Sequence, residues 1–270
     1  MRIALAQIAS STDPDANLSL IREWAQRAKD ADAELVTFPE ATMASFATRS
    51  AAVAQPLDGP WARGVQDVAR EVGIAIVAGM FTPGSAGKAR NTIIAVDATG
   101  TRVAAYDKMH LYDAWGFQES RHLDAGDQPA LFSLGGVTFG IVTCYEVRFP
   151  ELFKHLANAG AEVILVPASW ANGPSKVDQW RTLCLARALD STCFVLAAGQ
   201  ADPTTVGFEV KPGSPTGAGH SMAVGPLGQV LAEGGPAPEL LVIDVNPADL
   251  PEARGQLPVL ATSRLRISVD

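Results

Sequence analysis

The chain has 270 residues, 47% of them hydrophobic and 19% charged, with a net charge of −8. That length allows one large α/β domain or two small ones, and the composition supplies a sizeable core, unlike that of a disordered chain. The acidic balance argues against nucleic acid or an anionic membrane as partner. Three cysteines without paired spacing argue against a disulfide framework or a Cys-rich zinc site.

Arg2 before Ile3-Ala4-Leu5-Ala6 resembles the opening of a signal peptide, but Gln7 and Asp13-Pro14-Asp15 cut the apolar stretch short. No run reaches membrane-spanning length, so a soluble cytoplasmic protein is expected. Ile3 to Ile8 reads as a buried strand. Asp13, Asp15 and Asn17 offer caps for a helix carried by Leu18, Ile21, Ala25 and Ala28. Glu34 to Phe38 is a second strand running into Pro39-Glu40. Pro60 to Val72 is a helix closed by Gly73, Ile74 to Met80 a strand, and Thr82 to Lys88 a Gly/Pro/Ser-rich loop. Asn91 to Val96 turns at Asp97-Ala98-Thr99-Gly100 into Thr101 to Asp107. Asp113 to Asp127 has no clean period and holds Trp115, Phe117, Glu119 and His122; so long a loop in a compact domain is often functional.

Ala130 to Leu134 and Val137 to Val142 flank Gly135-Gly136, a hairpin signal. The second of these strands stops on Cys144. Pro150 then suits the first turn of a helix carried by Leu152, Phe153, Leu156 and Ala157 and ended by Gly160. Val163 to Val166 is a strand ending at Pro167, Val177 to Asp190 a helix, and Cys193 to Ala198 a strand. His220 to Val224 and Gln229 to Ala232 form a hairpin, Leu240 to Val245 is a last strand, and Pro247 to Arg254 is a short helix. The tail from Gln256 to Asp270 shows no element. With no low-complexity linker, residues 1–270 are read as one domain, two mixed sheets covered by helices. Phe38-Pro39-Glu40 and Phe149-Pro150-Glu151 hint at two similar halves.

Cys144 therefore sits where a strand gives way to a sharp turn and a helix start, a place that exposes a sulfur to backbone N–H groups. A cysteine nucleophile needs a base or a positive neighbour, because an ordinary thiol is only a few per cent ionised at neutral pH. Glu40 and Lys108 end two other strands. Side by side, these ends bring a carboxylate, an ammonium and a thiol together. Glu40 would then move the proton, and Lys108 with the Tyr145 N–H would hold an oxyanion. Taken singly, each residue has a plainer reading. Cys144 is a small core residue, Glu40 a first-turn acid, Lys108 a solvated strand end, Glu119 a loop carboxylate, and Arg148 the partner of Glu151. Cys184 and Cys193 read as core. His110, His122, His155 and His220 show no metal-ligand spacing, so no metal is expected, and no phosphate loop or dinucleotide fingerprint occurs.

Four segments in order carry a family resemblance: Thr37-Phe38-Pro39-Glu40, Tyr106-Asp107-Lys108-Met109-His110-Leu111, Phe117-Gln118-Glu119-Ser120 and Cys144-Tyr145-Glu146-Val147-Arg148-Phe149-Pro150-Glu151. With Gly219-His220-Ser221-Met222, they resemble the nitrilase (carbon–nitrogen hydrolase) superfamily from Ile3 to about Val245, in the branch of omega-amidases and deaminated-glutathione amidases. The resemblance implies a four-layer α–β–β–α sandwich that dimerises across helices and continues its sheets between subunits, and no metal or organic cofactor. A homodimer or higher homo-oligomer is expected, with the tail from about 256 to 270 a candidate for its interface. It carries a Glu–Lys–Cys triad onto Glu40, Lys108 and Cys144, and a second glutamate onto Glu119. Glu146, Asp190, Trp170 and the short Ala114-Trp115-Gly116 loop depart from the branch and bear on the pocket rather than the triad.

The expected activity is hydrolysis of a small linear amide through a Cys144 thioester. Tyr145 and Arg148 would bind a substrate carboxylate of the 2-oxo acid type, and Phe117 and Trp170 would line the pocket. An N-carbamoyl amine or amino acid is the alternative substrate. A Cys–His protease using His220 and a catalytically silent binding homologue are the remaining alternatives.

Overall fold

Side chains of the first strand, β1 (Arg2–Gln7), alternate between two apolar surroundings, and that alternation sets the layers. In the computed structural model, which describes residues 1–210 and 215–264, Ala4, Ala6 and Ile8 pack with Ile21, Trp24, Trp61 and Val65 of the helices. Ile3 and Leu5 point the other way, onto Phe139, Ile141, Val163 and Leu165 of a second sheet. On the far side of that sheet, Val142, Ile164, Val166 and Val195 meet Leu152, Phe153, Trp180 and Cys184 of further helices. Three apolar seams between four layers follow, helix, sheet, sheet, helix. The strands of the middle layers read as continuous apolar runs because both faces are covered.

The first half runs β1, α1 (Pro14–Asp30), β2 (Leu35–Thr37), a one-turn α2 (Ser50–Val53), α3 (Pro60–Val72), β3 (Ala75–Pro83), β4 (Ala89–Val96) and β5 (Arg102–Asp107). Asp13 caps α1 by accepting the Asp15 and Ala16 N–H groups, as its position implies, whereas Asp15 and Asn17 lie within the helix. Gly73, in the left-handed region at φ 70°, closes α3. The loop expected over 82–88 is shorter than read. β3 and β4 stay paired out to Pro83 and Ala89, with the Thr82 and Thr92 hydroxyls hydrogen-bonded at 2.7 Å. Gly and Pro at the very end of a hairpin are compatible with pairing up to them.

The stretch from Asp113 to Asp127 contains a 3₁₀ turn at Glu119–Arg121 and the two-residue β6 (Leu123–Asp124), which pairs with β4. The second half continues with β7 (Ala130–Leu134), β8 (Val137–Ile141), α4 (Pro150–Asn158), β9 (Val163–Ala168), α5 (Lys176–Ser191), β10 (Phe194–Gly199), β11 (Met222–Val224), β12 (Val230–Glu233), β13 (Glu239–Asp244) and α6 (Leu250–Gln256). The short helix expected over 247–254 is a 3₁₀ turn, Pro247–Asp249, leading into α6, which takes in Gln256 from the tail. The rest of the tail reading falls partly on residues 265–270, outside the described residues.

One sheet has the order β13-β1-β2-β3-β4-β5 and the other β12-β11-β10-β9-β8-β7. Each has a parallel centre, β1-β2-β3 and β8-β9-β10, followed by antiparallel strands. The halves are alike in topology. The tripeptide that hinted at this is not the equivalent part, however. Phe38-Pro39-Glu40 follows the second parallel strand of its sheet, and Phe149-Pro150-Glu151 follows the first. The strand ends carrying Glu40, Lys108 and Cys144 open into one cavity of about 380 Å³ between the two sheets' edges.

Candidate active site

Glu40 reaches the cavity because its turn lies directly on β3. A Cβ at Gly79 would stand 2.7 Å from the Ala41 nitrogen and 2.9 Å from the Pro39 oxygen, so only glycine lets the two backbones approach this closely. The Met43 N–H donates to the Gly79 carbonyl at 2.9 Å, and Gln200 Nε2 donates to the Glu40 carbonyl at 3.0 Å. The carboxylate is 1% exposed, and both its oxygens are engaged. Oε1 accepts from Lys108 Nζ at 2.9 Å and Asn91 Nδ2 at 2.7 Å, and Oε2 accepts the Ser169 N–H at 2.8 Å.

Lys108 is 2% exposed, far from the solvated strand-end reading. Its ammonium also donates to Glu119 Oε2 at 3.0 Å and Oε1 at 3.2 Å. Glu119 is held in turn by the Tyr112 N–H at 2.5 Å. Asn91, on β4, had no signal beyond its place in a strand; its amide sits between Glu40 and Glu119.

Cys144 begins a 3₁₀ turn, Cys144–Arg148, and adopts φ 50°, the left-handed region that costs a residue with a side chain about 1–2 kcal/mol. This is the strained strand-to-helix elbow that lifts a nucleophile into a cavity. The Tyr145 N–H follows at the start of the turn, where helical N–H groups have no acceptor within their own turn.

What holds the elbow is Glu146, which sequence reasoning noted only as a departure. It is fully buried, and its carboxylate accepts the Thr143 N–H at 2.7 Å, the Met109 and His110 N–H groups at 2.9 Å, and the Tyr106 hydroxyl at 2.8 Å. One side chain thus fastens the chain before Cys144 to the chain just after Lys108. Arg187 secures the other side of the turn, donating to the Val147 carbonyl at 3.0 Å.

The electrostatics define a resting state. Burial pushes the Cys144 thiol well above its usual range, the Glu40 charge pushes it further, and Lys108 only partly opposes them. Burial by itself would lower the Lys108 ammonium; the carboxylates of Glu119 and Glu40 and the Cys144 sulfur override it and hold the amine firmly protonated. The sulfur therefore rests as a thiol rather than as half of an ion pair. The arrangement can move its proton onto Glu40 as attack proceeds, which leaves the net charge of the site unchanged. Alkylation of Cys144 by iodoacetamide, followed by peptide mass spectrometry, is expected to accelerate about ten-fold per pH unit from 7 to 9 without levelling. A plateau below pH 8 would contradict this. Cys184 and Cys193, also buried and also pushed up by burial, are expected to remain unlabelled in the folded protein.

All eight candidate residues, Glu40, Lys108, Glu119, Cys144, Tyr145, Arg148, Phe117 and Trp170, line this cavity. Tyr112 packs edge-on against Tyr145 with ring centroids 5.1 Å apart and tilts against Phe117 at 5.8 Å. Arg148 forms no pair with Glu151. It donates to Gln179 Oε1 at 2.8 Å, and its guanidinium carbon lies 4.9 Å from the Trp115 ring centre and 5.1 Å from that of Trp170. His220, the base of the protease alternative, does not line the cavity; its carbonyl accepts from Trp180 Nε1. Among the described residues, no three His, Cys, Asp or Glu side chains gather to hold a metal ion, and no helix is long and apolar enough to cross a membrane.

Comparison with known proteins gives a consistent result. The sequence model described as carbon–nitrogen hydrolase matches residues 2–255. A hydrolase of Mycobacterium tuberculosis (strain H37Rv) is 47% identical over 275 residues, covering 100% of this chain and 98% of that protein. A deaminated glutathione amidase of Escherichia coli O157:H7 is 34% identical, covering 98% of this chain and 97% of that one. Among solved structures, a variant of the amidase from Nesterenkonia sp. AN1 superposes with a TM-score of 0.82 at 31% identity, over 98% of this chain and 94% of that one. It carries the acetamide moiety of fluoroacetamide on its active-site cysteine.

Proposed function

This chain belongs to the carbon–nitrogen hydrolase family as an amidase of the nitrilase superfamily, and from that premise we propose that it hydrolyses small linear amides carrying a carboxylate, with Glu40, Lys108, Cys144 and Glu119 as its catalytic residues. The observation that carries the reading is the meeting of a buried carboxylate, a buried ammonium and a strained cysteine at the floor of one cavity. Cys144 Sγ attacks the amide carbon while its proton passes to Glu40. The Lys108 ammonium and the Tyr145 N–H hold the tetrahedral oxyanion. Glu40 returns the proton to the departing ammonia, leaving a thioester. Water then attacks the thioester, Glu40 takes a proton from it, and the thiol is regenerated with the free acid. Glu119, bridged to both Lys108 and the Tyr112 N–H, keeps the ammonium aimed at the reacting carbonyl.

Arg148 and Tyr145 are the proposed carboxylate anchors, and Phe117 and Trp170 the walls that flank the acyl chain. An ammonia-release assay over amides and N-carbamoyl compounds tests the class, with turnover of the carbamoyl compounds alone pointing to the alternative substrate. Replacing Arg148 by Gln is expected to raise KM for carboxylated amides about ten-fold more than for neutral amides of the same length, the size of one lost charge-assisted contact. Equal effects on both would remove Arg148 from the reading. The homodimer implied by the resemblance and the cytoplasmic location expected from the sequence belong to the same proposal, and sedimentation of the purified chain tests the first.

A further inference from the structure

We propose that Lys176 is the second cation of the carboxylate clamp, completing with Arg148 an anion subsite walled by the indoles of Trp115 and Trp170. This rests on the reading of the cavity as an amide site. It adds a specificity residue that the sequence did not single out.

Lys176 opens α5, and its ammonium lies 3.6 Å from the Trp115 ring centre and 6.0 Å from that of Trp170. Arg148 approaches the same two indoles, so two positive charges share one aromatic corner of the cavity. Neither has a carboxylate partner among the described residues. Elsewhere Lys88, Arg90, Arg181 and Arg187 do, paired with Asp124, Asp107, Glu233 and Asp190. Arg148 Nε is buried without an acceptor among the described residues. Partial burial and the adjacent guanidinium both lower the Lys176 pKa, as expected of neighbouring like charges.

The corner is also fixed in place. Trp170 Nε1 donates to the Lys176 carbonyl at 2.8 Å, tying the start of α5 to the cavity wall, and Ser175 turns the chain into the helix at φ 56°. Indole faces hold a cation by its charge and leave its N–H groups unspent. A carboxylate entering the corner therefore meets preset donors on two residues and relieves their mutual repulsion. A neutral amide does neither. Trp115 is 63% exposed, so this wall of the corner lies at the protein surface, beside both cations. The substrate class follows: short amides whose far end is a carboxylate, in preference to neutral or cationic amides.

Binding without turnover isolates this claim. In a Cys144→Ala background, calorimetry compares the monoamide of a five-carbon dicarboxylic acid with the neutral amide of equal length. The Kd ratio in favour of the carboxylated amide is expected to fall about ten-fold on adding Lys176→Met and to return with Lys176→Arg. A ratio that stays within two-fold, a loss that Lys176→Arg does not restore, or a carboxylated amide that binds no better than the neutral one with Lys176 intact would each overturn the inference. If the unaltered enzyme releases ammonia from no amide while the preference and its dependence on Lys176 hold, the amidase substrate reading fails and the anion subsite stands.

Discussion

Replacing Glu40 by Gln is expected to lower the rate of amide hydrolysis by about 10²–10⁴-fold, the contribution of a positioned general base, while leaving Cys144 alkylation at least as fast as before. The two responses diverge because Glu40 does two things to the sulfur. It receives the proton during attack and returns it to the leaving amine, which hydrolysis needs and alkylation does not. Its charge also raises the thiol pKa, so neutralising it lets the thiolate form at lower pH. A merely structural Glu40 would slow both reactions together. The variant also carries a folding cost. Both Glu40 oxygens accept from N–H donors, Lys108 and Asn91 on one side and Ser169 on the other. An amide nitrogen in either position sets donor against donor, at about 1–3 kcal/mol. Thermal unfolding measures that loss separately from the rates.

The parts of this molecule legible in the sequence are those whose physics is local. Pro60 and Gly73 bound α3 because proline suits a first turn and glycine a left-handed close. Gly135-Gly136 turns β7 into β8 with both residues at positive φ, the geometry that a tight hairpin needs. Cys144 was legible as the end of a strand followed by helix-start signals. Its φ of 50° was not, since that strain is sustained by Glu146 reaching across to the Met109 and His110 N–H groups, 36 to 37 residues away. Asn91 and Lys176 escaped for the same reason. Their roles depend on Glu40 and Glu119 for one and on Trp115 and Trp170 for the other, and no spacing along the chain records those meetings. The Phe-Pro-Glu pair shows the opposite hazard. Two similar halves exist, but they are written in the order of strands and helices, and the repeated tripeptide falls at unlike places.

Lys108→Met should do the most damage, because the ammonium serves both the chemistry and the fold. Loss of one oxyanion donor costs about 10²–10³-fold in kcat. Removing the ammonium that touches both carboxylates leaves Glu40 and the partly buried Glu119 without their shared counter-charge, and breaking a buried pair from one side costs about 3–5 kcal/mol. The two losses separate in a double variant. Adding Glu119→Gln takes away one of the opposed charges, so the melting temperature should recover much of its drop while the rate stays down. Methionine retains most of the lysine stem, so lost packing does not account for the effect. Recovery of rate and stability together would mean that Lys108 only balances charge, and the oxyanion would then need a different donor. Persistence of full activity in the single variant would remove the ammonium from the reaction altogether.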